Sequence, residues 1–280
     1  MGQRIRAVVS DLDGTLLDGN GRLSEETRRA LGALRERGIP LIIATGRPLC
    51  ALPEEVKKEE GIRYLITANG ALVYGRGEGR PLFRTGLSRN LRRELVQAAR
   101  DTGACCEVFL EGQAYIDSRV LEQAAQWNYQ PRTIGYLQRT RKSCRDLERL
   151  MLEAEGAEAL DFFARDPEHK RRIWKRVSEI PGLYLTSSVP HLVETAAEGT
   201  NKARALAWVL EKLEISPSEA AAFGDGDNDV ELLQACGLGI AMENASAACR
   251  AAADRIAAGN QEDGVAREIW KLLEGEVRWQ

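Results

Sequence analysis

Apolar residues near the start of the chain gather into short blocks separated by charged stretches patterned for helix. Ile5-Arg6-Ala7-Val8-Val9-Ser10 is a β-rich run ending at an Asp/Gly turn, which predicts a buried strand. Ser24 stands before Glu25 and Glu26, a capping hydroxyl followed by acids that suit the positive end of a helix dipole. Leu31 and Leu34 continue the apolar face, and Gly38 is placed to stop the helix. Pro40 to Ala44 is apolar on both faces, and strands of that kind joined by helices imply a parallel sheet. Tyr64 to Thr67 and Ala71 to Tyr74 flank Asn69-Gly70 as the arms of a hairpin.

The last third repeats the alternation. The pattern predicts a helix from Asn201 to Leu213, a strand over Ala220 to Phe223 and a helix around Val230 to Gln234. A strand around Leu238 to Ala241 and a helix from Val265 to Leu273 follow. Between the two ends, Arg84 to Val189 mixes helix-like runs with the strand-like runs Cys106 to Leu110, Ala114 to Asp117, Leu160 to Ala164 and Leu183 to Ser187. This stretch reads as an inserted α/β domain.

Size and composition narrow the reading further. The chain has 280 residues, enough for two domains or for one domain carrying an insertion. With 44% hydrophobic and 29% charged residues it has globular composition. A net charge of −3 offers no field for nucleic acid or anionic lipid, and no apolar run is long enough to span a bilayer. Within residues 84–189, 18 Lys and Arg stand against 15 Asp and Glu, a balance of +3 that leaves −6 for the rest. The N-terminal Met1-Gly2-Gln3-Arg4-Ile5-Arg6 lacks the apolar stretch of a signal peptide. Six cysteines without metal-type spacing then read as reduced thiols, and the expected location is cytoplasmic.

The chemistry concentrates where strands end. Asp11-Leu12-Asp13-Gly14-Thr15 follows the first strand, and open parallel sheets bind ligands at the carboxyl ends of their strands. An ionised Asp11 can attack phosphorus and split a hydrolysis into two easier steps through an acyl phosphate. The turn at Gly14 can bring Asp13 toward the leaving oxygen as general acid, and afterwards as general base for water. Thr15 suits a helper that orients Asp13. After the second strand, the hydroxyl of Thr45, with the backbone at Gly46, can donate to a phosphoryl oxygen, although Thr-Gly is also ordinary turn chemistry. Lys202 opens the helix that restarts the alternation; taken alone, a lysine there reads as a surface residue. Gly224-Asp225-Gly226-Asp227-Asn228-Asp229 holds three acids on one loop, an arrangement that needs a cation. Like charges about 4 Å apart repel by roughly 4 kcal/mol at an effective dielectric near 20. Oxygen-rich ligation favours Mg²⁺. A calcium-binding EF-hand loop is excluded because Cys236 stands where its twelfth-position Glu would be.

As an ordered set these residues closely resemble the haloacid dehalogenase superfamily of phosphatases, in particular its Cof-type group. Thr67-Ala68-Asn69-Gly70-Ala71, Ala241-Met242-Glu243-Asn244-Ala245 and Glu262-Asp263-Gly264-Val265-Ala266 also look like motifs of that group. The resemblance implies an α/β fold with a Rossmann-like parallel sheet core, helices on both faces and an inserted α/β cap domain. The core would comprise residues 1–83 and 190–280, and the cap 84–189. It further implies Asp11 as nucleophile and Asp13 as acid/base. Mg²⁺ would be held by Asp11, the backbone carbonyl of Asp13 and Asp225, with Asp229 supporting those ligands. Thr45, Gly46, Lys202 and Asn228 would bind the phosphoryl group. Asn69 would lie with them, though a hairpin turn accounts for it equally well. The substrate would be a small phosphorylated metabolite, a sugar phosphate by similarity, with the cap closing over it. Gly199-Thr200-Asn201 before Lys202 departs from the group's usual Gly-Val-Ser. A phosphomutase or phosphotransferase would use the same Asp11 intermediate. A non-catalytic sugar-phosphate sensor would be marked by loss of Asp11, Asp13 or Asp225, and none is missing.

Overall fold

The computed structural model describes residues 5–275; the Met1 to Arg4 part of the N-terminal reading lies outside them. In chain order the first elements are β1 (Ala7–Ser10), α1 (Glu25–Glu36), β2 (Leu41–Ala44), α2 (Glu54–Lys58), β3 (Ile62–Thr67), β4 (Leu72–Gly75) and β5 (Phe83–Arg84). Next come α3 (Arg89–Thr102), β6 (Cys105–Leu110), β7 (Gln113–Asp117), α4 (Ser118–Gln123), α5 (Pro131–Thr140) and β8 (Lys142–Cys144). They are followed by α6 (Leu147–Glu153), β9 (Ala157–Phe163), α7 (Pro167–Ser178), β10 (Leu183–Thr186) and β11 (Leu192–Ala197). The last are α8 (Lys202–Leu213), β12 (Ala220–Gly224), α9 (Val230–Gln234), β13 (Leu238–Met242), α10 (Ala247–Ala252), β14 (Arg255–Ala257) and α11 (Gly264–Glu274).

These elements form two compact units. The first combines the described residues up to Gly46 with Leu52–Phe83 and the described residues from Asn201 onward. Its sheet has the order β14-β13-β12-β1-β2-β3-β4-β5, parallel from β14 to β3, with β4 returning antiparallel beside β3 as the expected hairpin. From β1 the chain steps through β2 and β3 to one side; from β12 it steps through β13 and β14 to the other. The order therefore reverses between β1 and β12, where doubly wound sheets bind ligands. Ser10, the last residue of β1, is in register with Phe223 on one side and Ile43 on the other.

The apolar blocks form strands because burial on both faces rewards them. Ala7, Val9, Ile42, Ala44 and Ala222 pack under α8 and α9 through Leu206, Val209, Leu210 and Leu232. Val8, Ile43 and Ala221, at alternate positions, are buried on the other face, where α1 and α11 pack together. Ser24 caps α1 as expected, its hydroxyl accepting from the Thr27 N–H.

The second unit comprises Arg47–Ala51 and Arg84–Thr200. Its six-stranded sheet has the order β10-β11-β9-β6-β7-β8, antiparallel except between β7 and β8. Helices α3, α6 and α7 cover the face that carries Cys106, Val108, Leu160, Phe162 and Val193. Val120 of α4 and Leu137 of α5 pack against Cys105, Ile116 and Phe163 on the other face.

The boundary expected at 189 is corrected here. β11 pairs antiparallel with both β9 and β10, so the second unit runs to Thr200. Arg47–Ala51 joins it as well: the Cys50 N–H donates to Gly112 O at 2.9 Å, and the Arg47 guanidinium lies 5.1 Å from the Tyr136 ring centroid.

Candidate active site

Every site residue expected from sequence lies in the first unit, at or beyond the carboxyl end of a parallel strand or at the start of α8. Asp11 follows β1 directly, and its N–H donates to Phe223 O of β12 at 3.0 Å. That bond holds the carboxylate beside the neighbouring strand end. Asp225 follows β12, and Thr45 follows β2. Lys202 is the first residue of α8, whose N-cap Asn201 accepts from the Arg204 N–H at 2.7 Å. The unusual Gly-Thr-Asn wording therefore still provides a helix cap.

Lys202 is 1% exposed and bonds two carboxylates, Asp11 Oδ1 at 2.6 Å and Asp229 Oδ1 at 2.7 Å. Asp229 Oδ2 accepts from the Asp225 and Gly226 N–H groups at 3.1 and 3.0 Å. Both oxygens of Asp229 are thus engaged, one in fixing the lysine and one in shaping the loop. Thr15 Oγ1 donates to Asp225 Oδ1 at 2.8 Å, so this hydroxyl steadies Asp225 and not Asp13, as had been expected. Gly14 has φ +80°, and a Cβ there would stand 2.3 Å from Asp225 Oδ2. Only glycine lets the Asp13 turn approach Asp225 that closely. Asp13 itself is exposed.

The charges explain what this cluster requires. Oxygens of Asp11, Asp225 and Asp229 lie within 4.8 Å of one another. Burial holds the Asp11 carboxyl well above the ordinary aspartate range; Lys202 opposes this, while Asp229, Asp225 and Asp13 add to it. Asp225 is pushed up to about 6, mainly by burial, against the lowering effect of the Thr15 hydrogen bond. Burial alone would depress the Lys202 ammonium, but Asp11 and Asp229 outweigh it and hold the lysine above its usual value. One ammonium against three clustered carboxylates leaves uncompensated negative charge. An all-oxygen donor set with that surplus fits a hard divalent cation.

Asn228 and Asn69 come together: Asn228 Nδ2 donates to Asn69 Oδ1 at 2.9 Å, and both are buried. The Asn69 N–H donates to Thr45 O at 3.1 Å. Three supporting residues had no assigned role. Asn244 Nδ2 donates to Gly14 O at 2.8 Å, and Asn260 Nδ2 to Leu17 O at 2.8 Å, so both brace the Asp13 turn. Ser246 donates its N–H to Asp225 O at 2.9 Å. The motif Met242-Glu243-Asn244-Ala245, at the end of β13, was the signal that could have pointed to Asn244.

Comparison with known proteins agrees with this fold and site. The sequence profile of the haloacid dehalogenase-like hydrolases matches residues 8–269. The chain therefore belongs to the haloacid dehalogenase-like hydrolase family, and within it to the Cof-type phosphatases. It is 29% identical over 272 residues to the 5-amino-6-(5-phospho-D-ribitylamino)uracil phosphatase YcsE of Bacillus subtilis, covering 96% of each chain. It is 31% identical over 245 residues to the HMP-PP phosphatase of Klebsiella pneumoniae, covering 84% of this chain and 83% of that one. The solved structure of a haloacid dehalogenase-like hydrolase from B. subtilis is similar at TM-score 0.83 and 26% identity, covering 95% of this chain and 99% of that one. No helix among the described residues is long and apolar enough to cross a membrane.

Proposed function

We propose that this protein is a magnesium-dependent phosphatase that hydrolyses small phosphate monoesters through a phosphorylated Asp11. The observation that carries the reading is the Asp11–Lys202–Asp229 bridge beside Asp225, where three clustered carboxylates share one buried ammonium.

In the first half-reaction an Asp11 oxygen bonds to phosphorus and the bond from phosphorus to the ester oxygen breaks. The Asp13 carboxyl gives its proton to the departing oxygen. In the second, Asp13 takes a proton from water. The resulting hydroxide bonds to phosphorus, and the bond to Asp11 breaks, releasing phosphate, freeing the Asp11 carboxylate and leaving Asp13 protonated for the next cycle. Thr45, the Gly46 backbone, Asn228 and Lys202 donate to the phosphoryl oxygens, where charge gathers as the group transfers. Asp11, the Asp13 carbonyl and Asp225 would hold Mg²⁺, with Asp229 behind them, and the ion would supply charge neutralisation and orientation of the phosphoryl group.

The second unit, in this reading, is a cap that sets the choice of ester. A sugar or polyol phosphate is the substrate class we favour, because the B. subtilis relative's name specifies a phosphate on a ribityl group. All six cysteines are free thiols, which fits a reducing compartment and a cytoplasmic enzyme. A phosphate-release screen over sugar phosphates, nucleotides and cofactor phosphates tests the proposal. Release that requires Mg²⁺ and stops with EDTA is expected. Turnover persisting in excess EDTA, or no release from any monoester, would overturn it.

A further inference from the structure

Three consecutive residues between β3 and β4 occupy the left-handed region: Ala68 at φ 49°, Asn69 at φ 52° and Gly70 at φ 100°. Glycine adopts that region freely and asparagine tolerates it, but alanine pays a steric penalty there. Reversing a hairpin needs only two such residues, which Asn69 and Gly70 already supply. Ala68 therefore carries strain that chain reversal does not call for, and strain of this kind gathers where backbone is held for function.

The turn is held against three separate segments. The Asn69 N–H donates to Thr45 O at the end of β2, and a Cβ on Gly46 would stand 3.1 Å from Asn69 Oδ1. Asn69 Oδ1 accepts from Asn228 Nδ2 on the loop after β12. A Cβ on Gly70 would stand 2.1 Å from Asn201 O and 3.1 Å from the Lys202 N, so this glycine lies directly on the start of α8. One strained turn thus touches the segments bearing Thr45, Asn228 and Lys202.

We infer that Ala68–Asn69–Gly70 is the positioning element of the phosphate cradle, with the Asn69 carboxamide acting through Asn228. A carboxamide nitrogen has two hydrogens. Asn69 takes one from Asn228, which fixes the amide's orientation and turns the other toward the phosphoryl group. This inference rests on the phosphatase reading above.

A double-mutant cycle tests it. Asn69→Gly keeps the left-handed backbone and deletes the carboxamide; Asn228→Ala deletes the group it is inferred to orient. With Mg²⁺ and p-nitrophenyl phosphate, Asn69→Gly should lower kcat about tenfold, equivalent to about 1.4 kcal/mol, in a variant that stays folded at the assay temperature. In the Asn228→Ala background the same change should cost less than about twofold, because coupled residues are not additive. The same cycle read on orthovanadate affinity requires no turnover and should show the same coupling. Equal losses in both backgrounds, or no loss in either, would overturn the inference. Asp11→Asn in the same series reads the parent proposal: turnover surviving that change would sink the nucleophile, while the vanadate cycle would still report whether the two amides are coupled.

Discussion

Replacing Lys202 with methionine exposes how the site is balanced. Methionine nearly matches the lysine stem in length, so the change removes charge while leaving little cavity. Its ammonium sits 2.6 Å from Asp11 and 2.7 Å from Asp229, and the three side chains are 1%, 8% and 1% exposed. Each contact is worth roughly 6 kcal/mol of gross attraction at an effective dielectric of 20. Desolvation of the ammonium offsets most of this, and breaking a buried pair costs about 3–5 kcal/mol because uncompensated charge remains. In Mg²⁺-free protein at pH 8 the variant should lose about that much stability, with a fall in Tm of roughly 10 °C.

The deficit should also depend on pH. Lys202 is the one influence that lowers the Asp11 pKa against burial and three acidic neighbours. Without it, the folded-state value of Asp11 rises further above the unfolded value. A carboxyl whose folded pKa is raised loses stability as pH climbs from the unfolded value through the folded one. The deficit should therefore be large at pH 8 and shrink toward pH 5, and Mg²⁺ should restore more stability to the variant than to the native chain. Urea unfolding at pH 5, 7 and 8, with and without Mg²⁺, measures this. A deficit below about 1 kcal/mol, or one that does not change with pH, would refute the electrostatic reasoning.

Asp13→Ala should lower kcat/KM, which reports the first half-reaction alone, by about 10²–10⁴-fold for alkyl phosphates and far less for p-nitrophenyl phosphate, because poor leaving groups need the proton; equal losses in kcat/KM on both would remove Asp13 as the acid. Gly14→Ala would drive a Cβ to 2.3 Å from Asp225 Oδ2 at a φ of +80°, so Mg²⁺ affinity measured by calorimetry should fall at least tenfold. Unchanged affinity would separate this turn from the metal site. In the second unit, His169 Nδ1 accepts from the Arg165 N–H while Nε2 lies 3.1 Å from Thr102 O, which fixes the neutral tautomer. Burial lowers its pKa from the usual 6.5, so the unfolded chain binds the proton more readily and stability is lost as pH falls below 6.5. Urea midpoints between pH 7.5 and 5.5 should fall more in the native chain than in His169→Gln; parallel slopes would contradict this.

What could be read from the sequence follows from how local the cause is. Asp11, Asp13 and Asp225 stood out because acids cluster immediately after apolar strands, whereas Thr45 and Lys202 gained meaning only within the ordered set of motifs. The β1, β2, β12 and β13 blocks were legible for a similar reason: burial on both faces leaves an uninterrupted apolar run. The limits of the second unit were not legible. β11 carries Glu194 at a buried position, where its side chain accepts from the Ser188 N–H, and that charge interrupts the apolar pattern. β8 is a largely exposed edge strand, Lys142-Ser143-Cys144, with no pattern to announce it.

Long-range register was hidden as well. It places Glu107 opposite Asp161 and Asp161 opposite Glu194, three buried acids in a row across adjacent strands. Glu107 is held by the buried Arg141 at 2.7 and 3.1 Å, while burial and the flanking acids hold Asp161 well above the usual aspartate range. No local spacing encodes that arrangement, because it exists only once β6, β9 and β11 are paired. Asn69 illustrates an intermediate case: the Asn-Gly turn was visible, but its contacts with Thr45 and Asn228 required the folded sheet.

The central claim is that phosphorus becomes bonded to Asp11, and acid quenching during steady-state turnover of a good substrate tests it directly. Peptide mass spectrometry of the quenched protein should find a phosphoryl group on the peptide bearing Asp11, removed by hydroxylamine and missing from Asp11→Asn. A phosphoryl group on any other residue, or an unlabelled enzyme under conditions where hydrolysis of the aspartyl phosphate limits the rate, would contradict the account.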